Sequence, residues 1–216
     1  MENLNKYIEH TLLKQDATKA DFIKLFEEAK EHKFLGVCVN PCYVKFAKEN
    51  LADSDVKIVT VVGFPLGANT TETKIFETIN AVRDGADEID MVINVTKLKD
   101  RENEFIVDEI RQIKGACQGH NLKVIIETDL LTKEEIKLAC ELCIKGGADF
   151  VKTSTGFVKG GVGAKAEDVK LMYETVKSAG LQVKASGGIR DKQAALAMIE
   201  AGAVRLGTSS GVKIVG

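Results

Sequence analysis

Two lysines stand inside runs that ought to be core strands. Asp149-Phe150-Val151-Lys152-Thr153-Ser154-Thr155-Gly156 is a short apolar run that carries Lys152 and leaves through a hydroxyl-rich turn closed by glycine. Leu181-Gln182-Val183-Lys184-Ala185-Ser186-Gly187-Gly188 repeats the form around Lys184. Lysine is almost never buried without a partner, because desolvating its ammonium is costly, so a matched pair calls for a chemical use. A lysine amine attacks a carbonyl only when neutral, and at an ordinary pKa of ~10.4 roughly one in two thousand is neutral at pH 7. A second buried cation close by lowers that pKa by about three units and raises the neutral fraction nearly a thousandfold. The iminium that follows is an electron sink: an adjacent carbon loses a proton, or a carbon–carbon bond breaks, with Asp90 available to carry the proton. The bland alternative is a charge-neutralised polar plug with no reaction attached.

These strands are positioned by an alternation of short β-type runs and amphipathic helices. Thr18 and Asp21 have capping-box spacing before a helix with an apolar stripe of Phe22, Leu25, Phe26 and Ala29, which Gly36 stops. Strands are expected at Val37 to Pro41, Val56 to Val62, Glu88 to Asn94 and Leu122 to Thr128. Between them, one helix has Ile75, Ile79 and Val82 on its buried face, and a charged one runs from Lys97 to Gln112 over Ile106, Ile110 and Ile113. Thr132 and Glu135 cap the helix that holds Cys140 and Cys143, a CxxC that falls on a packing stripe with Ile136 and Ala139. Val169, Met172, Tyr173 and Val176 mark another helix, and Asp191 caps a last one with Ala195, Leu196 and Ile199 facing in. Asp84-Gly85-Ala86, Gly146-Gly147-Ala148 and Ala201-Gly202-Ala203 repeat one helix-to-strand junction three times.

Seven strands follow from Val37 onward, and Tyr7 to Leu13 supplies an eighth, so the 216 residues suit a single-domain (β/α)₈ TIM barrel spanning 1–216. An open doubly wound sheet is the alternative, but neither a Gly-x-Gly-x-x-Gly after the first strand nor a Walker sequence is present. Strand parity gathers the chemistry. Glu9 and Thr11, Cys38 and Asn40, Asp90 and Asn94, Glu127 and Asp129, Lys152 and Ser154, and Lys184 and Ser186 share the inward face. Their apolar alternates, Val37, Val39, Ile89, Met91, Val151, Val183 and Ala185, face the helices. The turns Gly187-Gly188-Ile189-Arg190 and Gly207-Thr208-Ser209-Ser210-Gly211 leave strands seven and eight, where barrels of this kind commonly hold phosphate on backbone N–H groups and serine hydroxyls.

Composition narrows the partners. A net charge of -2 and a pI near 6.0 give no basic footprint for nucleic acid or membrane, and no apolar run is long enough to span a bilayer. Five cysteines without a disulfide framework fit the reducing cytoplasm. His10, His32 and His120 lack ligand spacing, so no metal and no cofactor is expected. The expected partner is a small phosphorylated sugar, and the expected assembly a homo-oligomer, dimer or tetramer. On residues alone, which lysine is the nucleophile stays open, and a noncatalytic sugar-phosphate sensor or an aldolase for another phosphorylated sugar fits as well.

Glu9-His10-Thr11-Leu12-Leu13, Glu88 to Asn94, Phe150 to Phe157, Val183 to Arg190 and Gly207 to Ser210 together resemble the class I, Schiff-base deoxyribose-phosphate aldolase family over nearly the whole chain. The resemblance implies that Lys152 forms the Schiff base, that Asp90 and Lys184 transfer protons, and that Gly187, Gly188, Ser209 and Ser210 bind phosphate. It implies reversible cleavage of 2-deoxy-D-ribose 5-phosphate to glyceraldehyde 3-phosphate and acetaldehyde, in deoxyribose phosphate catabolism. Glu9 departs from the family, which usually has aspartate there.

Overall fold

The short β-type runs close on themselves. The computed structural model describes residues 3–216, in which eight parallel strands form a closed barrel in chain order. They are β1 (Ile8–Leu12), β2 (Gly36–Val39), β3 (Lys57–Val62), β4 (Glu88–Val92), β5 (Asn121–Ile125), β6 (Phe150–Lys152), β7 (Gln182–Ser186) and β8 (Ala203–Thr208). β8 pairs back onto β1 with Glu9 opposite Gly207. Around them lie α1 (Lys19–Glu31), α2 (Val44–Leu51), α3 (Thr71–Arg83), α4 (Val95–Lys99), α5 (Asn103–Ala116), α6 (Lys133–Gly146), α7 (Ala166–Val176), α8 (Lys192–Glu200) and α9 (Gly211–Val215). This is the TIM-barrel architecture that the strand–helix alternation predicts.

Local chemistry sets the ends. Thr18 with Asp21 and Thr132 with Glu135 make reciprocal capping boxes, and the Asp191 carboxylate accepts from the Ala194 N–H. At the repeated junctions Gly85, Gly147 and Gly202 take φ of 107°, 80° and 112°, a conformation open to glycine and strained for other residues. Gly36 does not stop α1. The helix ends at Glu31, Lys33 takes the left-handed turn at φ 52°, and Gly36 opens β2, where a Cβ would lie 2.7 Å from the Lys57 carbonyl oxygen.

Two expected helices differ. The Lys97 to Gln112 stretch breaks at Arg101, with φ 60°, into α4 and α5. Leu98 on α4 and Ile106 on α5 are both fully buried on either side of the break. On α3 the buried face is Lys74, Thr78 and Ala81, while Ile75 and Val82 are half-buried and Ile79 is exposed. The helix is rotated by a fully buried pair, the Lys74 ammonium 2.9 Å from Glu109 Oε1 and 3.0 Å from the Val92 carbonyl oxygen. Periodicity that scores lysine as a surface residue reads this helix the wrong way round. On α8, Met198 is buried with Ala195, and Leu196 and Ile199 only partly.

The core falls into two parts. A large apolar layer between barrel and helices holds the expected strand alternates from Val37 to Ala185. A small cluster of Leu13, Cys38, Val59 and Val61 occupies one side of the barrel interior. The other side is charged. The CxxC cysteines are buried in α6, where burial pushes the Cys140 thiol up to about 12, as expected of packing residues.

Candidate active site

Strand register brings the charged side chains together. Asp90 on β4 lies beside Lys123 on β5, and Lys152 on β6 beside Lys184 on β7, which in turn lies beside Arg205 on β8. Asp90 Oδ2 accepts from Lys152 Nζ at 2.7 Å and from Lys184 Nζ at 2.6 Å, while Oδ1 accepts from Lys123 Nζ at 3.0 Å. Lys184 also donates to Glu9, so this carboxylate reaches the second lysine directly. Gly207 makes room for this lysine: a Cβ there would lie 3.2 Å from Lys184 Cε and 2.9 Å from Ser186 Cβ.

The charges hold one another. Burial disfavours the Asp90 carboxylate, but Lys123, Lys152 and Lys184 outweigh it and keep the group well below the usual carboxylate range. Burial likewise opposes the Lys184 ammonium, and Asp90 and Glu9 overcome it, holding its pKa above that of ordinary lysine. Lys184 therefore stays cationic at neutral pH. Lys152 differs in access. At 3% exposed it lines a cavity of about 240 Å³ at the carboxyl end of the barrel, while Asp90 and Lys184, both at 0%, do not line it.

The same cavity receives Gly187, Gly188 and Ser209 from the turns after β7 and β8. Gly187 and Gly188 take φ of 83° and 75°, which opens their backbone to an approaching group. Ser210 does not line the cavity; its N–H is turned back to Thr208 Oγ1 at 2.9 Å. Thr153 and Ser186 lock the ends of β6 and β7 together, Thr153 Oγ1 donating to the Ser186 carbonyl and accepting from the Ser186 N–H.

Parity places Glu127 and Asp129 inside the barrel, but the structure does not bring them to the lysines. β5 ends at Ile125, and Glu127 turns through a left-handed φ of 58° so that its carboxylate accepts from Thr155, while Asp129 accepts from the Gly163 N–H. Asn40 caps a loop, its amide donating to the Leu13 carbonyl. Missing from the sequence reading are Glu88, Lys123 and Arg205, all on inward strand positions. Lys123 Nζ lies 2.5 Å from Glu88 Oε2, and Arg205 reaches Glu88 at 3.4 Å and Glu9 at 3.8 Å. Their signal was the same period-two spacing that marks Asp90 and Glu9. Lys14 was missed too, and Arg190 was read only as part of its glycine turn; both are exposed cations that line the cavity mouth. Among the described residues no group of three His, Cys, Asp or Glu side chains is arranged to hold a metal, and no helix is long and apolar enough to cross a membrane.

Buried cationic and anionic groups beneath an open lysine, with a glycine-lined cradle beside it, form an arrangement that can bind a phosphorylated carbonyl compound and attack it. Known proteins similar to this chain are named as aldolases. A deoxyribose-phosphate aldolase of Finegoldia magna is 58% identical over 212 residues, covering 98% of each chain. A solved aldolase, QR15, superposes with a TM-score of 0.94 at 44% identity, over 99% of this chain and 95% of its own. A tetrameric deoxyribose phosphate aldolase of Aeropyrum pernix superposes with a TM-score of 0.91 at 33% identity, over 98% of this chain and 89% of its own. With the DeoC/LacD family aldolase model matching residues 5–215 as well, this chain belongs to that family of aldolases.

Proposed function

We propose that this protein is a lyase that reversibly cleaves 2-deoxy-D-ribose 5-phosphate to glyceraldehyde 3-phosphate and acetaldehyde through a Schiff base on Lys152, in deoxyribose phosphate catabolism in the cytoplasm. The observation that carries it is the access of Lys152 to the cavity, directly above Asp90 and beside the cationic Lys184. The neutral amine of Lys152 adds to C1 of the open-chain sugar, and loss of water leaves an iminium. The C2–C3 bond breaks as the C3 hydroxyl loses its proton, and the bonding pair moves into the iminium to give an enamine. Glyceraldehyde 3-phosphate departs. Asp90 and Lys184, 2.6 Å apart, carry the proton back to C2 of the enamine, and water then releases acetaldehyde. Assembly as a homo-oligomer belongs to this reading; the Aeropyrum pernix relative is tetrameric, and sedimentation at micromolar concentration tests the point.

The experiment is incubation with 2-deoxy-D-ribose 5-phosphate while acetaldehyde is followed, with and without borohydride. Acetaldehyde release, abolished as a reduced adduct accumulates, is expected. Binding of the sugar with neither product nor adduct would identify a sensor instead.

Phosphate recognition has its own expected result. A Gly188 variant is a poor probe, because a Cβ there would lie 2.4 Å from the Val162 carbonyl oxygen and would displace the loop as well. Ser209 is exposed and lines the cavity, so Ser209→Asp adds an anion at the cradle without disturbing packing. We expect kcat/KM for the phosphorylated sugar to fall about tenfold to a hundredfold, the range of one or two lost charge-assisted hydrogen bonds. Cleavage of unphosphorylated deoxyribose should change far less. Equal proportional losses would remove Ser209 from the phosphate site.

A further inference from the structure

We propose that Lys123 is a positioning residue for the reaction: it gives the barrel interior one more cation than its carboxylates neutralise, so that the proton is lost from Lys152. The proposal rests on the reading of Lys152 as the Schiff-base lysine. Inside the barrel, Lys123, Lys152, Lys184 and Arg205 form ion pairs with three carboxylates, Glu9, Glu88 and Asp90. Four full positive charges against three negative ones is costly in a medium that screens poorly, and releasing one proton balances the set.

Partners decide which cation gives way. Arg205 faces Glu9 and Glu88, and guanidinium groups do not give up a proton in proteins. Lys184 faces Glu9 and Asp90, and Lys123 faces Glu9, Glu88 and Asp90. Lys152 pairs with Asp90 alone and is the one lysine of the three that lines the cavity, where its proton can leave to water. Burial opposes the Lys123 charge, but Asp90, Glu9 and Glu88 raise its pKa above that of ordinary lysine, so this cation persists.

The remaining groups are neutral, half-exposed or outside the ion-paired set. From β2 comes Cys38, whose thiol burial pushes up and keeps neutral. From β3 come the apolar Val59 and Val61, and at its outer end the half-exposed Lys57, a further cation 3.1 Å from Glu88. Glu127, beyond β5, is occupied by Thr155 and forms no ion pair with the four cations among the described residues. Lys123 itself is 0% exposed and does not line the cavity, so it acts on the substrate only through its neighbours.

The test is the pH dependence of kcat/KM for 2-deoxy-D-ribose 5-phosphate in Lys123→Met, Glu88→Gln and the double variant, with borohydride adducts mapped in each. Lys123→Met should move the ascending limb to higher pH by on the order of one to two units, from the interaction of unit charges several ångströms apart. Activity should return at high pH, with the adduct still on Lys152. Glu88→Gln should move the limb to lower pH. The double variant, which restores the surplus of one cation, should bring it back toward the wild type. A purely structural lysine would lower activity equally at every pH, and that result, or a double variant that stays shifted, overturns the proposal. Should Lys123→Met fail to fold, Glu88→Gln alone decides, an unmoved limb counting against the idea. A wild-type adduct away from Lys152 would instead sink the underlying Schiff-base assignment.

Discussion

Lys152→Met is expected to abolish aldol cleavage while leaving the barrel at least as stable as the wild type. Loss of the nucleophile removes the covalent route altogether, and a residual rate below about one part in ten thousand is the scale seen when a catalytic nucleophile is deleted. Stability follows a different logic. Lys152 shares Asp90 with Lys123 and Lys184, so its removal leaves no carboxylate unpaired. Replacing a buried polar group by an apolar one of similar length is often neutral or stabilising when no partner is stranded. Thermal unfolding and a product assay on the same preparation check both halves. A folded Lys152→Met that still releases acetaldehyde would place the nucleophile elsewhere.

The second large effect concerns Lys184→Leu, which should cut activity about a thousandfold at pH 7 and move the ascending limb toward the pKa of free lysine. The sign follows from the chemistry. The reactive species is the neutral amine, a neighbouring cation favours it, and taking the cation away means that more alkaline solution is needed to reach the same neutral fraction. Unlike Lys123→Met, this variant should stay impaired at high pH, because the Asp90–Lys184 contact at 2.6 Å that carries the proton is gone. An unchanged pH–rate profile on a folded variant would remove Lys184 from both roles.

Much of the site was legible in the sequence because a strand alternates faces every residue. Lys152, Lys184, Asp90 and Glu9 share the inward side, and the register of parallel neighbours turns that one-dimensional pattern into a cluster. The same rule also marks Lys123, Glu88 and Arg205, but charged residues within the first three positions of a strand look like solvent-facing ends until the barrel closes over them. Parity fails where the strand stops. Glu127 and Asp129 continue the period on paper, yet the left-handed turn at Glu127 takes both into the loop layer.

The misread face of α3 has a physical origin as well. Lys74 on α3 lies buried against Glu109, an ion pair formed by residues 35 positions apart, and nothing local in the helix announces it. Lys14 and Arg190 lie in turns whose approach to the cavity depends on how β1 and β7 are arranged around the barrel. By contrast, the capping boxes at Thr18 and Thr132 and the glycine junctions are complete within a few residues, and there sequence and structure agree.

The most direct measurement is reductive trapping. Protein incubated with 2-deoxy-D-ribose 5-phosphate and borohydride, digested and analysed by mass spectrometry, should carry a single adduct on the peptide containing Lys152, at the lysine that lines the cavity. An adduct on Lys184, or a trapped product on neither lysine while acetaldehyde is still released, would contradict the account.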